Sequence, residues 1–301
     1  MEKTKRLYVT RKWRQTIDGY LFIMPNLVGF LVFTLFSIGF SFAAGFTNWD
    51  MVTGLANMKF NGLANFSKMF GDQWFIDSMV NVLYFVAFVP LQILVALIVA
   101  FIINESVFFT KTIRTALFLP YVTNAVIIAI VWAMLLNPGD GIVNNLLRTV
   151  GVGHPPGWLS SQDWVKPAII VMTTWSGLGL NVILFLSGLV GIPKEIYESA
   201  EIDGVKPITK FFHITFPLIS PTTFFILITS IIGLFNAWSH IQILTGGGPG
   251  SSSTVIGYYI YKAAFEFGQM GYASAMALVL FATVFIFTIV QWSYQKKWVH
   301  Y

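Results

Sequence analysis

The run Gly246-Gly-Gly-Pro-Gly-Ser-Ser-Ser253 concentrates backbone N–H groups and hydroxyls as a phosphate cradle does. A phosphate loop also needs the lysine of G-x-x-x-x-G-K-[ST], a strand before it and a helix after it. This run has none of these, so it reads as a compact turn and not as a nucleotide site. Metal chemistry has few candidates. The chain holds 4 scattered histidines and no cysteine, which excludes thiolate metal sites and disulfides. No paired carboxylate, histidine cluster or cysteine lies within an apolar run, so a membrane-embedded enzyme would lack its catalytic groups. The chain is therefore expected to have no catalytic residue, no metal ligand and no cofactor of its own.

A second segment with functional potential is Gly191-Ile-Pro-Lys-Glu-Ile-Tyr-Glu198-Ser-Ala-Glu201-Ile-Asp203-Gly204-Val-Lys206-Pro-Ile-Thr-Lys210-Phe-Phe-His-Ile214-Thr-Phe216-Pro217. It reads as a short amphipathic helix over Lys194–Ile202, a turn at Asp203-Gly204, and a second short helix ending before Pro217. Gly204 supplies a positive φ at low cost and Asp203 tolerates a turn. Pro207 suits the first turn of the second helix. Ile196, Ala200 and Ile208 alternate with charges, so one face is expected to pack while the other stays polar. An ordinary solvated loop is the competing reading.

These segments must be held by something, and the composition says what. The 301 residues are 56% hydrophobic and 10% charged, against about 25% charged in soluble domains. The default solvent is lipid. Six runs are long enough to cross a bilayer: Tyr20–Phe42, Met79–Ile103, Ala116–Leu136, Pro167–Val190, Leu218–Trp238 and Ala273–Trp292. None contains Asp, Glu, Lys or Arg. The first is too long for a cleaved signal and reads as a retained anchor. The fold class is an all-α polytopic membrane protein with about six transmembrane helices.

Lys and Arg set the orientation. With an internal N-terminus, 13 of the 18 fall in internal segments and 5 in external ones. Both termini and the 192–217 segment are thus expected in the cytoplasm. The net charge of +5 is a topology signal and needs no nucleic acid. The basic Glu2–Arg14 stretch reads equally as an amphipathic surface helix or a charged tail. Residues 1–19 form a cytoplasmic segment and 20–301 the transmembrane domain. External loops near 43–78, 137–166 and 239–272 carry Gly, Pro, Asn and Trp, which suit turns and interfacial anchoring.

Polar groups inside spans usually face the bundle interior. The runs offer Asn124, Thr173, Thr174, Ser176, Asn181, Thr229, Ser230 and Asn236, with Tyr121, Trp175, Phe235 and Trp238 as aromatics. Each also suits interhelical hydrogen bonding, at roughly 0.6–2 kcal/mol per pair.

The 192–217 segment resembles the cytoplasmic EAA loop of bacterial ABC importer permeases. That pattern is Glu-Ala-Ala, three residues, Gly, nine residues, Ile, one residue, Leu-Pro. Here it reads Glu198-Ser199-Ala200, Gly204, Ile214, Phe216-Pro217, with Ser199 and Phe216 as mild departures. Leu119-Pro120-Tyr121, Trp175-Ser176-Gly177, and Ile243-Leu-Thr-Gly-Gly-Gly-Pro-Gly250 with Ser253-Thr254, Tyr259-Ile-Tyr261, Phe265 and Gly271-Tyr-Ala-Ser-Ala275 extend the resemblance. They are similar to the first-type permease of carbohydrate importers, such as those for maltose and glycerol-3-phosphate.

The resemblance implies a multi-pass protein of the bacterial cytoplasmic membrane, paired with a second permease. It implies two ATPase subunits that bind ATP and Mg, an extracellular or periplasmic solute-binding protein, and a sugar as solute. Glu198, Ser199, Ala200, Asp203, Gly204, Ile214 and Pro217 would couple to the ATPase. A seated helix would move as a rigid body and switch the spans between inward- and outward-facing states. Positions lining the maltose site in similar subunits fall on Tyr121, Ala125, Thr173, Ser176, Gly177, Leu180, Ser230, Gly233, Leu234 and Ala237. Gly233, Leu234 and Ala237 replace an aromatic and two amides, so the recognition chemistry differs from that for maltose. The alternative is an ion-coupled secondary transporter. Such proteins place an acid or a broken helix at mid-membrane, and no predicted span contains an acid.

Overall fold

A computed structural model describes residues 2–105, 110–235 and 238–299. Among them the architecture is helical. The elements are α1 (Glu2–Gly29), α2 (Phe36–Ala44), α3 (Ala64–Gly71), α4 (Gln73–Glu105), α5 (Thr110–Val122), α6 (Ala125–Leu135), α7 (Ile142–Thr149) and α8 (Gln162–Val190). They continue as α9 (Lys194–Ile202), α10 (Pro207–Lys210), α11 (Phe216–Leu218), α12 (Ser220–Phe235), α13 (Trp238–Leu244), α14 (Ile256–Tyr261) and α15 (Met270–Trp298). Among the described residues four stretches are continuous enough and apolar enough to cross a membrane; counting each of two bent pairs as one span gives six.

The core follows from helical spacing. Along α4 the buried residues Val82, Phe85, Val89, Ile93, Ala96, Ala100 and Ile103 recur every three or four positions. That places one apolar stripe on one face. It packs against Val165, Ile169, Met172, Val182, Phe185 and Leu189 of α8, with Ile226, Ile231 and Phe235 of α12 alongside. Gly179 lets α5 approach α8 closely. A Cβ there would lie 2.0 Å from the Leu117 carbonyl oxygen and 2.7 Å from Phe118 Cα.

Two runs read as single spans are broken. Within 116–136, α5 and α6 meet at 99°. Asn124 is the reason: it leaves helical geometry at ψ 133° and its side chain accepts the Val126 N–H, so a new helix starts there. The 218–238 run bends by 65° where Ile219 separates the stretch ending at Leu218 from α12. Residues 236 and 237 lie outside the described set. At the N-terminus, α1 begins at Glu2 and passes the expected boundary near residue 20 without interruption.

The 246–253 run is the compact turn that its composition suggests. Gly246, Gly247 and Gly250 all take positive φ. Ser253 Oγ donates to the Gly248 carbonyl at 2.7 Å and Thr254 Oγ1 to that of Gly247 at 3.0 Å. Residues one turn apart on α4 fasten it. Asn81 donates to the carbonyls of Ser251 and Thr254, both at 2.9 Å, and Asp77 accepts the Ser251 hydroxyl. Nearby, Asp72 caps α4 by accepting the Trp74 and Phe75 N–H groups, and also accepts the hydroxyls of Tyr259 and Tyr272 at 2.6 Å each. Partial burial pushes its carboxyl up, but these four donors outweigh that and hold it below the usual range. A single carboxylate thus joins α4, α14 and α15 at one end of the bundle.

Candidate functional site: a cavity at a broken helix and a capped surface loop

The break at Thr123-Asn124 opens onto a cavity of about 440 Å³. Unpaired backbone is tolerated at membrane depth only where it lines a cavity or is buried in protein. Here α5, α6, α8, α12 and α13 surround it, with Gln92 of α4. Tyr121, Ala125, Thr173, Ser176, Gly177, Leu180, Ser230, Gly233 and Leu234 all line it, although they come from three separate stretches of chain. Ala237 falls outside the described residues. The wall also includes Gln92, Thr123, Asn181, Thr229 and His240.

Four lining hydroxyls are engaged by their own helices. Thr173 Oγ1 donates to the Ile169 carbonyl at 2.9 Å and Ser176 Oγ to that of Thr173 at 3.1 Å. Thr229 Oγ1 donates to Phe225 at 2.9 Å and Thr123 Oγ1 to Leu119 at 2.8 Å. Such back-bonding satisfies a hydroxyl inside a helix, at the cost of a slight destabilisation or bend.

The second site is the loop between α8 and α12. Helix α9 covers the predicted Lys194–Ile202, and Asp203 is its C-cap. Gly204 takes φ 65°. The Val205 N–H returns to the Ala200 carbonyl at 3.0 Å and the Gly204 N–H to that of Glu201 at 3.1 Å. This pair of bonds is a Schellman cap, which requires a left-handed residue between helix and exit. Pro207 opens α10 as expected. The second helix does not stop before Pro217. A wide π turn over Phe211–Thr215 carries it into α11 through Leu218. Proline in a regular helix collides with the carbonyl four residues back, and the wider turn relieves that clash.

Packing of this loop also differs from expectation. Ala200 is buried, but Ile196 is 36% exposed and Ile208 is 74% exposed. The loop is anchored instead by the contact of Tyr197 Oη with Thr215 Oγ1 at 3.2 Å and by Phe211 set edge-on to Phe101 at the end of α4. Lys210 pairs with Glu201 at 3.1 Å. Ile214 and Pro217 are half-buried, whereas Glu198, Ser199, Asp203 and Gly204 are exposed. The outer surface shows apolar Ile202, Ile208 and Phe212 beside a Glu198 carboxylate with no partner among the described residues. Exposed apolar groups rimmed by polar ones suit contact with a protein or a membrane.

A profile of the family described as "Binding-protein-dependent transport system inner membrane component" matches residues 73–298, which include both sites. The chain belongs to this family. It is therefore a multi-pass inner-membrane protein and the permease component of a binding-protein-dependent ABC importer. The probable ABC transporter permease YesP of Bacillus subtilis is 34% identical, over 96% of this chain and 93% of its own. The lactose transport system permease LacF of Rhizobium radiobacter is also 34% identical, over 91% and 93%. Among solved structures, a bacterial ABC transporter involved in import of the acidic polysaccharide alginate superposes with a TM-score of 0.79. It is 25% identical and the match covers 95% of this chain and 99% of that one.

Within this permease, sequence reasoning passed over Gln92, Thr123 and His240. Gln92 stands in a strongly apolar run, where an isolated amide is itself a signal for an inward-facing residue. His240 lies beyond the last predicted apolar position, Trp238, on the short helix α13 that continues past the bundle's fifth run. No group of His, Asp and Glu among the described residues is arranged to hold a metal ion.

Proposed function

We propose that this permease conducts a sugar through the cavity at the α5–α6 break and takes its energy from two ATPase subunits seated on the α9–α11 loop. The observation that carries this reading is convergence. Nine positions assigned by resemblance to carbohydrate permeases meet on one cavity beside the broken helix. The names of the relatives add support, since LacF carries lactose and the structural neighbour carries a polysaccharide. The partner ATPases bind ATP and Mg, and a second permease completes the pathway. A solute-binding protein outside delivers the sugar, near the face where the 246–253 turn is fastened to α4. Both termini face the cytoplasm, by the distribution of Lys and Arg.

The cavity is tested with Tyr121→Ala and Ser176→Ala in the purified, reconstituted complex. Removing a hydrogen bond to a solute hydroxyl costs about 1–3 kcal/mol, or roughly 5- to 150-fold in affinity. Transport is expected to fall by that order while hydrolysis stimulated by the binding protein survives. Parallel loss of transport, hydrolysis and complex yield would make these residues packing and remove the cavity from the pathway.

A further inference from the structure

The wall of the cavity has two properties that together define the solute. The first is the absence of charge. Among the described lining residues there is no Lys, Arg, Asp or Glu. His240 lines the wall, yet among the described residues no lining carboxylate is present to hold it as imidazolium, and its enclosed Nδ1 has no partner among them.

The second property concerns which way the hydroxyls point their protons. Thr123, Thr173, Ser176 and Thr229 each donate to a carbonyl of their own helix, at 2.8–3.1 Å. A hydroxyl carries one proton and two acceptor sites. With the proton committed, each presents lone pairs to the cavity. The result is an uncharged wall in which these committed hydroxyls add acceptor sites beside the neutral donors of Gln92, Tyr121, Asn181 and Ser230.

We propose that this permease selects an uncharged, polyhydroxylated solute, whose hydroxyl protons meet these lone pairs, and excludes acidic sugars and sugar phosphates from its half of the pathway. The inference rests on the cavity being the solute path. A carboxylate or phosphate there would meet only neutral donors and, among the described lining residues, no cation. An unpaired charge out of water is costly enough that the group neutralises or stays outside. The neighbour that imports acidic alginate shares the fold at a TM-score of 0.79. The fold therefore does not settle charge preference.

The chain has no cysteine, so single thiols report local chemistry cleanly. Ser230→Cys and Leu234→Cys place a thiol on the wall, and Gly250→Cys places one on the exposed outer turn. Each purified complex is treated with iodoacetamide and with iodoacetate, reagents of similar size, one neutral and one anionic. Labelling of this chain is followed by mass spectrometry. The ratio of neutral to anionic rates at the two wall positions is expected to exceed that at residue 250 by tenfold or more. Adding Leu234→Lys to the Ser230→Cys chain should bring the ratio back to the control value or below. Equal ratios at wall and control, with both wall thiols reactive, would overturn the uncharged preference and leave the cavity as the path. Wall thiols inert to both reagents would show that water does not fill the cavity, and would sink the path reading itself.

Discussion

Uptake is expected to fall by more than tenfold when Gly204→Val and Glu198→Lys are combined, with membrane-inserted protein unchanged. Gly204 sits at φ 65° inside the Schellman cap of α9. A left-handed conformation costs an ordinary L-residue roughly 1–2 kcal/mol, and valine, branched at Cβ, resists it further. The cap's exit would swing and take α10 with it. Glu198 is exposed and unpaired among the described residues, so reversing its charge breaks no ion pair among them and adds only a weak like-charge contact with Lys194, about 0.2–0.5 kcal/mol. Its effect must come through a partner. If Glu198 meets a basic group in a cleft, removing one member of that pair costs about 3–5 kcal/mol. Uptake and insertion, measured together by labelled-solute assay and immunoblot, check the expectation. Normal uptake in the double variant would mean that the loop does not dock the ATPase.

Gly179→Val is expected to remove the folded complex rather than its activity. Any Cβ at this position overlaps the Leu117 carbonyl oxygen, 2.0 Å away, and this neighbour is backbone that no rotamer change can move. Overpacking of side chains typically costs about 1–3 kcal/mol, and a backbone clash belongs at or beyond the upper end. Helix α5 would be pushed off α8, carrying Tyr121 away from Ser176 and opening the cavity wall. Gly177, two residues earlier, has open space where its Cβ would be. Gly177→Ala should therefore keep the wild-type melting temperature and complex yield in fluorescence-detected size exclusion. Equal behaviour of Gly179→Val and Gly177→Ala would refute the tight α5–α8 packing.

Much of the scaffold is legible in the chain because lipid imposes one simple demand, a run of apolar residues long enough to cross. The capped loop is legible for a different reason. Asp203-Gly204, followed by Pro207, leaves the backbone few choices, and α9 ends where those residues require. What hydropathy does not encode is direction. A sum over 116–136 is the same for a straight span and for one turned through 99° at Asn124. The Asn124 side chain that caps α6 is visible in the sequence as a polar residue, but polarity alone does not distinguish a cap from a solute ligand. The same limit applies to Ile196 and Ile208. Alternation with charge marks an amphipathic helix without saying whether its apolar side meets its own bundle or another chain. The structure leaves these two residues outward, and that is where a partner would bury them.

The most direct test of the coupling account is whether this permease, affinity-purified from native membranes in mild detergent, brings an ATPase with it. The account predicts vanadate-sensitive ATP hydrolysis in the purified material, two ATPase subunits per pair of permeases, and loss of both with Glu198→Lys. Purified permease with no associated ATPase, together with uptake that survives ATP depletion and collapses with a protonophore, would contradict it.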